Sequence, residues 1–199
     1  MILAKPVAIG TIVLIAAFVI PLSQQAMGSG SSTIASPLDF LFGDDSDALG
    51  RDGGVVPEGV TAFDDDYPAV DNLAPALLRA LRAATGDAAT VGVTIQVNSG
   101  WRSEAYQEQL LDDAVSEYGS REEAARWVAT PENSAHVSGD AVDIGKADAT
   151  DWLARHGASY GLCQIYRNEP WHFELRSEAL GVGCPTPYDD PTQDPRMQQ

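Results

Sequence analysis

Apolar residues are distributed along this chain in three ways: one solid block near the N-terminus, several periodic segments in the middle, and two stretches without sustained period. The periodic segments predict the folded unit. Leu73, Leu77, Leu78 and Leu81 recur at helical spacing behind a cap at Asn72, with Pro75 acceptable in the first turn, so a helix is expected to end near Gly86. Val91, Val93, Ile95 and Val97 then alternate with smaller or polar residues, the period of a half-buried strand that leads into Ser99-Gly100-Trp101-Arg102. A second helix is predicted over 104–118, with Tyr106, Leu110, Ala114 and Tyr118 on one stripe and Gly119 as its stop. Ser120 to Glu123 has the form of a capping box and opens a third, shorter helix, closed by Thr130-Pro131. Residues 151–156 predict another helix ending at Gly157, and residues 162–166 and 171–175 predict short strands. This mixture of helix and strand predicts an α+β domain, and no internal repeat is apparent.

The solid block runs from Pro6 to Leu22, with Lys5 and the terminal amine as the nearby positive charges. It reads either as a secretory signal cleaved near Ala26-Met27-Gly28 or as a retained N-terminal membrane anchor, so residues 1–28 form a leader in both cases. Both readings export the bulk of the chain; a retained anchor leaves the short N-terminus in the cytoplasm. Residues 29–59 are rich in Gly, Ser, Asp and Pro and predict a flexible linker, since the short apolar patch from Leu38 to Phe42 cannot offset the entropy of ordering them. The folded domain is expected over 60–187, and residues 188–199, with their Asp and Pro runs, as a disordered tail. A monomer is expected.

Charge narrows the partners without naming the function. The formal net charge of −17, from 12 basic and 29 acidic residues, argues against a nucleic-acid binder, which needs cations to neutralise phosphates. Acidity on this scale is a solubility property of a solvated surface.

Two motifs carry the chemistry. His136 and Asp143 lie seven residues apart with Gly139 between them, a spacing that a turn followed by a buried strand at Ala141-Val142 brings to one point. Glu169-Pro170-Trp171-His172 then adds a third nitrogen or oxygen ligand and a carboxylate three residues ahead of it. Two His and one Asp suit one zinc ion with an open fourth position, and Glu169 is placed to take a proton from water and return it to a leaving amine. Trp171 is expected to pack as a core aromatic that also holds His172. His156 is assigned to the end of its helix and Glu174, on the same strand face as His172, to either a partner of the site or an ion pair.

These motifs, with Ser99-Gly100-Trp101-Arg102-Ser103, Tyr106-Gln107, Trp152-Leu153 and Tyr160-Gly161 in the same order, resemble the VanY-type D-alanyl-D-alanine carboxypeptidases of the Hedgehog/DD-peptidase superfamily. The resemblance covers roughly residues 73–175 and implies an α+β fold with a small, mainly antiparallel sheet flanked by helices. It also implies zinc on His136, Asp143 and His172, Glu169 as general base and then acid, and Arg102 as stabiliser of the oxyanion. Ser134 and Gln107 match the motifs and would either bind substrate or brace the site. The implied substrate is a peptidoglycan stem peptide, cleaved before its terminal D-Ala. An L-alanyl-D-glutamate endopeptidase of the same superfamily and a zinc-containing wall-binding module without activity are the alternative readings. Cys163 and Cys184, in an exported chain, are expected to form a disulfide.

Overall fold

The computed structural model describes residues 48–198. The leader at 1–28 and residues 29–47 of the expected linker lie outside these residues. Residues 48–59, by contrast, do not behave as a linker: Ser103 donates from its backbone N to Gly53 O at 2.9 Å and from its hydroxyl to Ala48 O at 3.1 Å. Gly53 is buried so closely that a Cβ there would lie 2.0 Å from Ala48 O. The folded unit therefore begins ahead of Val60. Among the described residues no helix is long and apolar enough to cross a membrane.

The domain follows the order α1 (Pro68–Asp71), α2 (Pro75–Thr90), β1 (Gln96–Ser99), α3 (Glu104–Tyr118), α4 (Arg121–Ala124), β2 (Ala141–Gly145), α5 (Ala147–His156), β3 (Leu162–Gln164) and β4 (His172–Leu175). The strands form one antiparallel sheet in the order β1-β2-β4-β3. On one face, Val97, Val142, Ile144, Leu162 and Phe173 join Leu77, Leu81, Ala84 and Ala88 of α2 and Trp152 and Leu153 of α5 in the main core. Because side chains alternate along a strand, Asp143, His172 and Glu174 must then point to the opposite face.

Local physics explains where the elements depart from the periodicity. Helix α2 continues past Gly86 to Thr90, since Gly86 faces open space and a single solvent-side glycine costs only about 1 kcal/mol. The predicted strand shrinks to Gln96–Ser99, because Val91 caps α2 at 65% exposure and Gly92, at φ +80°, turns the chain first. Helix α3 has the expected ends, capped by Ser103 and stopped by left-handed Gly119, but buries Gln107, Leu111 and Ala114; Tyr118 is 40% exposed. Ser120 caps α4 by accepting the Glu123 amide at 3.1 Å. Helix α5 starts at Ala147, four residues ahead of the position the pattern predicts.

The C-terminal segment is the largest correction. Rather than a disordered tail, 188–198 is a packed arm with short 3-10 turns at Pro191–Gln193 and Pro195–Gln198. Two of its three acidic residues are buried. Asp190, 6% exposed, accepts from Arg126 and caps the first turn through the Thr192 amide, and Asp194, 1% exposed, accepts from the Tyr166 hydroxyl and Arg196. Tyr188 N donates to Ile165 O and Arg167 N to Tyr188 O, both at 2.9 Å, so the arm runs beside the chain that follows β3.

Cys163 and Cys184 are joined in a disulfide with a sequence separation of 21. A loop of that size stabilises the fold by about 3 kcal/mol in the chain-entropy picture. Replacing both cysteines by serine is expected to lower the unfolding free energy by about that amount in urea titrations. An unchanged midpoint would mean that the cross-link adds nothing to stability.

Candidate metal centre

The site lies on the sheet face turned away from α2 and α5. Its first two members face each other by strand register: Asp143 of β2 pairs directly with His172 of β4, next to the Val142–Phe173 pair that points into the core. His136 reaches them from the loop ahead of β2. That loop turns sharply at Gly139, at φ +76°, and its carbonyl accepts from Ala74 N at 2.8 Å. A Cβ at Gly139 would lie 2.4 Å from Asn72 O, so only glycine lets the loop approach the start of α2 this closely. His136 O in turn accepts from Arg102 N at 3.1 Å, which ties the loop to the segment after β1.

His136, Asp143 and His172 are all buried, and their ligand atoms form a nearly equilateral triangle. His136 Nε2 is 3.3 Å from His172 Nδ1 and 3.4 Å from Asp143 Oδ1, and the His172–Asp143 side is 3.2 Å. Zinc held by nitrogen and oxygen ligands at about 2.0–2.2 Å in a tetrahedron puts those atoms about 3.3–3.6 Å apart. The donor set therefore fits the ion in chemistry and in spacing. The outer ring nitrogens settle the tautomers: His136 Nδ1 donates to Gly100 O at 2.7 Å, and His172 Nε2 donates to Glu174 Oε1 at 3.3 Å. A carbonyl and a carboxylate can only accept here, so each ring in its neutral form presents its lone pair to the triangle.

Electrostatics agree with a cation site. Burial opposes ionisation of Asp143, but the two histidines and Arg102 hold its carboxyl well below the usual range. Burial and the Arg102 charge push His136 down, toward the neutral form that ligates. Burial also opposes charging of His172, yet its hydrogen bonds to Asp143 and Glu174 push it up to about 9, a proton that a bound cation displaces.

Glu169 stands beside the triangle. Its Oε2 is 3.8 Å from His172 Nδ1, while Oε1 is buried and makes no hydrogen bond to another described residue. Burial raises its carboxyl to about 7, against the opposing pull of His172. A carboxylate with one unpartnered oxygen and a pKa near neutrality is built to exchange a proton.

Arg102 is fixed on three sides. Its Nε donates to Ser99 Oγ at 2.8 Å, Nη1 to Gln107 Oε1 at 3.1 Å and Nη2 to Asp143 Oδ2 at 2.8 Å. A guanidinium has five N–H groups, so one on each terminal nitrogen is left over. Gln107, 1% exposed, also donates to Ala129 O at 2.9 Å; with both ends of its amide engaged, it braces Arg102. Ser134 is buried and lines the same cleft as Arg102.

The cleft over the triangle encloses about 370 Å³ and is walled mainly by apolar groups, among them Leu110, Tyr118, Trp127, Val128, Pro191 and Met197. Trp171 is part of this wall at 39% exposure; it is not the core aromatic the motif suggested. Asp140 bonds Ser138 on the exposed side of its loop, and His156 lies against Trp152 with ring centroids 4.7 Å apart.

Glu174 is at once a partner of His172 and half of an ion pair with Arg196, and Arg196 is the member that the sequence did not suggest. For Glu174 the signal was its period-two relation to His172. For Arg196 there was none, since its place depends on a segment without periodicity.

Residues 71–177 match the model of the VanY family, described as D-alanyl-D-alanine carboxypeptidase. A D-alanyl-D-alanine carboxypeptidase from Enterococcus faecalis is 32% identical over 41% of this chain and 40% of its own length. The chain thus spans less than half of that curated relative. Among solved structures, the LdcB LD-carboxypeptidase superposes with a TM-score of 0.51 at 24% identity, over 64% of this chain and 70% of that one, and shares the fold. A vancomycin-resistance D,D-pentapeptidase VanY in complex with Zn(II) is 26% identical over 55% of this chain and 74% of that one, with a TM-score of 0.49.

Proposed function

The chain belongs to the VanY family of D-alanyl-D-alanine carboxypeptidases, and on that membership we propose that it is a zinc-dependent hydrolase that removes the terminal D-Ala from peptidoglycan stem peptides. The observation that carries the reading is the buried triangle of His136, Asp143 and His172 with an unpartnered Glu169 carboxylate oxygen beside it. A binding module needs no such base. The apolar leader at Pro6 to Leu22 supports action outside the cytoplasm, where the wall is.

His136, Asp143 and His172 would hold the ion. When bound, zinc supplies Lewis acidity, polarising a carbonyl oxygen and making water a competent nucleophile near neutral pH. Glu169, ionised and desolvated, accepts the proton from the attacking water at its carboxylate and delivers it to the nitrogen of the leaving D-Ala. Arg102 lines the cleft, and its two remaining N–H groups take up negative charge as it develops on the scissile oxygen. They cost little reorganisation, because Ser99, Gln107 and Asp143 already fix the guanidinium. The mainly apolar lining lowers the local dielectric and strengthens these interactions.

The test is incubation of the zinc-loaded protein with a stem pentapeptide ending in D-Ala-D-Ala, followed by mass spectrometry. Release of a single alanine is the expected result. Cleavage nearer the middle of the stem would replace the carboxypeptidase reading by an endopeptidase, and bound zinc without any product would replace it by a binding module.

A further inference from the structure

We propose that Arg196, on the C-terminal arm, is a positioning residue for the metal centre: it holds Glu174 where that carboxylate accepts the Nε2 proton of His172. This rests on the metal reading above. Glu174 is 1% exposed, and its bond to His172 is long, at 3.3 Å, so the ring's orientation depends on what else fixes the carboxylate. Arg196 grips it with a fork, Nη1 to Oε2 at 2.8 Å and Nη2 to Oε1 at 3.1 Å, the bidentate geometry that only arginine offers. Arg176 reaches the same carboxylate from one side only, Nη2 to Oε2 at 2.9 Å.

The fork is itself held. Arg196 Nε donates to both oxygens of Asp194, at 3.1 and 3.0 Å, and Asp194 also accepts the Tyr166 hydroxyl at 3.1 Å. The Tyr166 ring lies against His172 with centroids 5.2 Å apart, so the arm braces the ligand through a hydrogen-bonded path and through a packed ring. Of these residues, Arg196 and Asp194 lie beyond 177, where the family match ends. Partners of metal-ligating histidines set affinity as well as orientation, with losses of roughly 10- to 100-fold when they are removed. Arg196 acts one step further out and shares Glu174 with Arg176, which places its effect at the lower end.

The test is zinc affinity of the intact chain, by competition with a chromogenic chelator, for wild type, Arg196→Ala, Arg196→Lys, Glu174→Gln and the Arg196→Ala/Glu174→Gln pair. Urea midpoints of the chelator-stripped proteins are taken in parallel. Arg196→Ala is expected to weaken zinc roughly tenfold, Arg196→Lys by less, and Arg196→Ala to add little once Glu174 is Gln. An Arg196→Ala protein that loses stability but binds zinc as tightly as wild type would overturn the proposal, as would an undiminished effect in the Glu174→Gln background. If Arg196→Ala does not fold, Arg196→Lys decides, because a single ammonium cannot reproduce the fork and wild-type affinity there would equally overturn it. Failure of the wild-type chain to bind zinc would instead remove the metal reading itself.

Discussion

Glu169→Ala is expected to bind zinc like the wild type and to hydrolyse a stem pentapeptide roughly 100- to 10,000-fold more slowly. The separation follows from position: Glu169 stands outside the ligand triangle, yet supplies a buried carboxylate oxygen that no other described residue engages. Full activity in this variant, measured by alanine release, would sink the mechanism. The same residue has a second, independent signature. Burial holds its pKa up at about 7 against 4.5 for an ordinary glutamate. The folded protein then binds the proton more tightly than the unfolded chain, so this contribution to stability is complete below about pH 4.5 and is lost as pH rises through about 7. Glu169→Gln removes that loss. In chelator-stripped protein its urea midpoint should exceed that of the wild type at about pH 8, with the gap closing near pH 4; parallel profiles would show that Glu169 is not desolvated. A bound cation pulls the carboxyl down again, so the acid limb of activity should lie below 7.

His136→Ala should abolish both zinc binding and activity. Nothing else among the described residues offers a third ligand atom to Asp143 and His172, and loss of a direct ligand exceeds the roughly 10- to 100-fold effect of losing an outer partner. The variant also leaves Gly100 O without its 2.7 Å donor, a structural cost that is local to the loop. Zinc content after dialysis, read beside the rate, separates this variant from Glu169→Ala: one loses ion and rate together, the other loses rate alone. Stoichiometric zinc in His136→Ala would mean that the ligand set is wrong.

Much of the chain's chemistry was legible one residue at a time. The helix at 104–118 carries its own cap and stop in Ser103 and Gly119, and the Ser120 capping box is a contact across three residues. Such features are settled by local backbone energetics and need no partner elsewhere. The motif order around His136, Asp143, Glu169 and His172 likewise pointed to the metal set, because few residue types ligate zinc and the short spacing leaves few geometries. Element lengths were less legible. The valines at 91 and 93 read as strand only because hydrophobic alternation ignores the turn that Gly92 imposes, and the stripe on α3 was misplaced because Tyr118 and Leu110 face a cleft that the helix's own sequence does not contain.

The order of residues thus carries the inventory: which side chains can ligate, donate a proton or cap a helix, and in what succession they come. Tertiary structure alone decided how they are joined. The pairing of Asp143 with His172, the engagement of both ends of Gln107 and the fork of Arg196 on Glu174 span separations along the chain that no periodicity records. The arm shows the reason most clearly. An Asp and Pro run has the composition of a solvated tail, and whether it orders depends on buried partners for its carboxylates, which exist only once the sheet and Arg126, Tyr166 and Glu174 are in place.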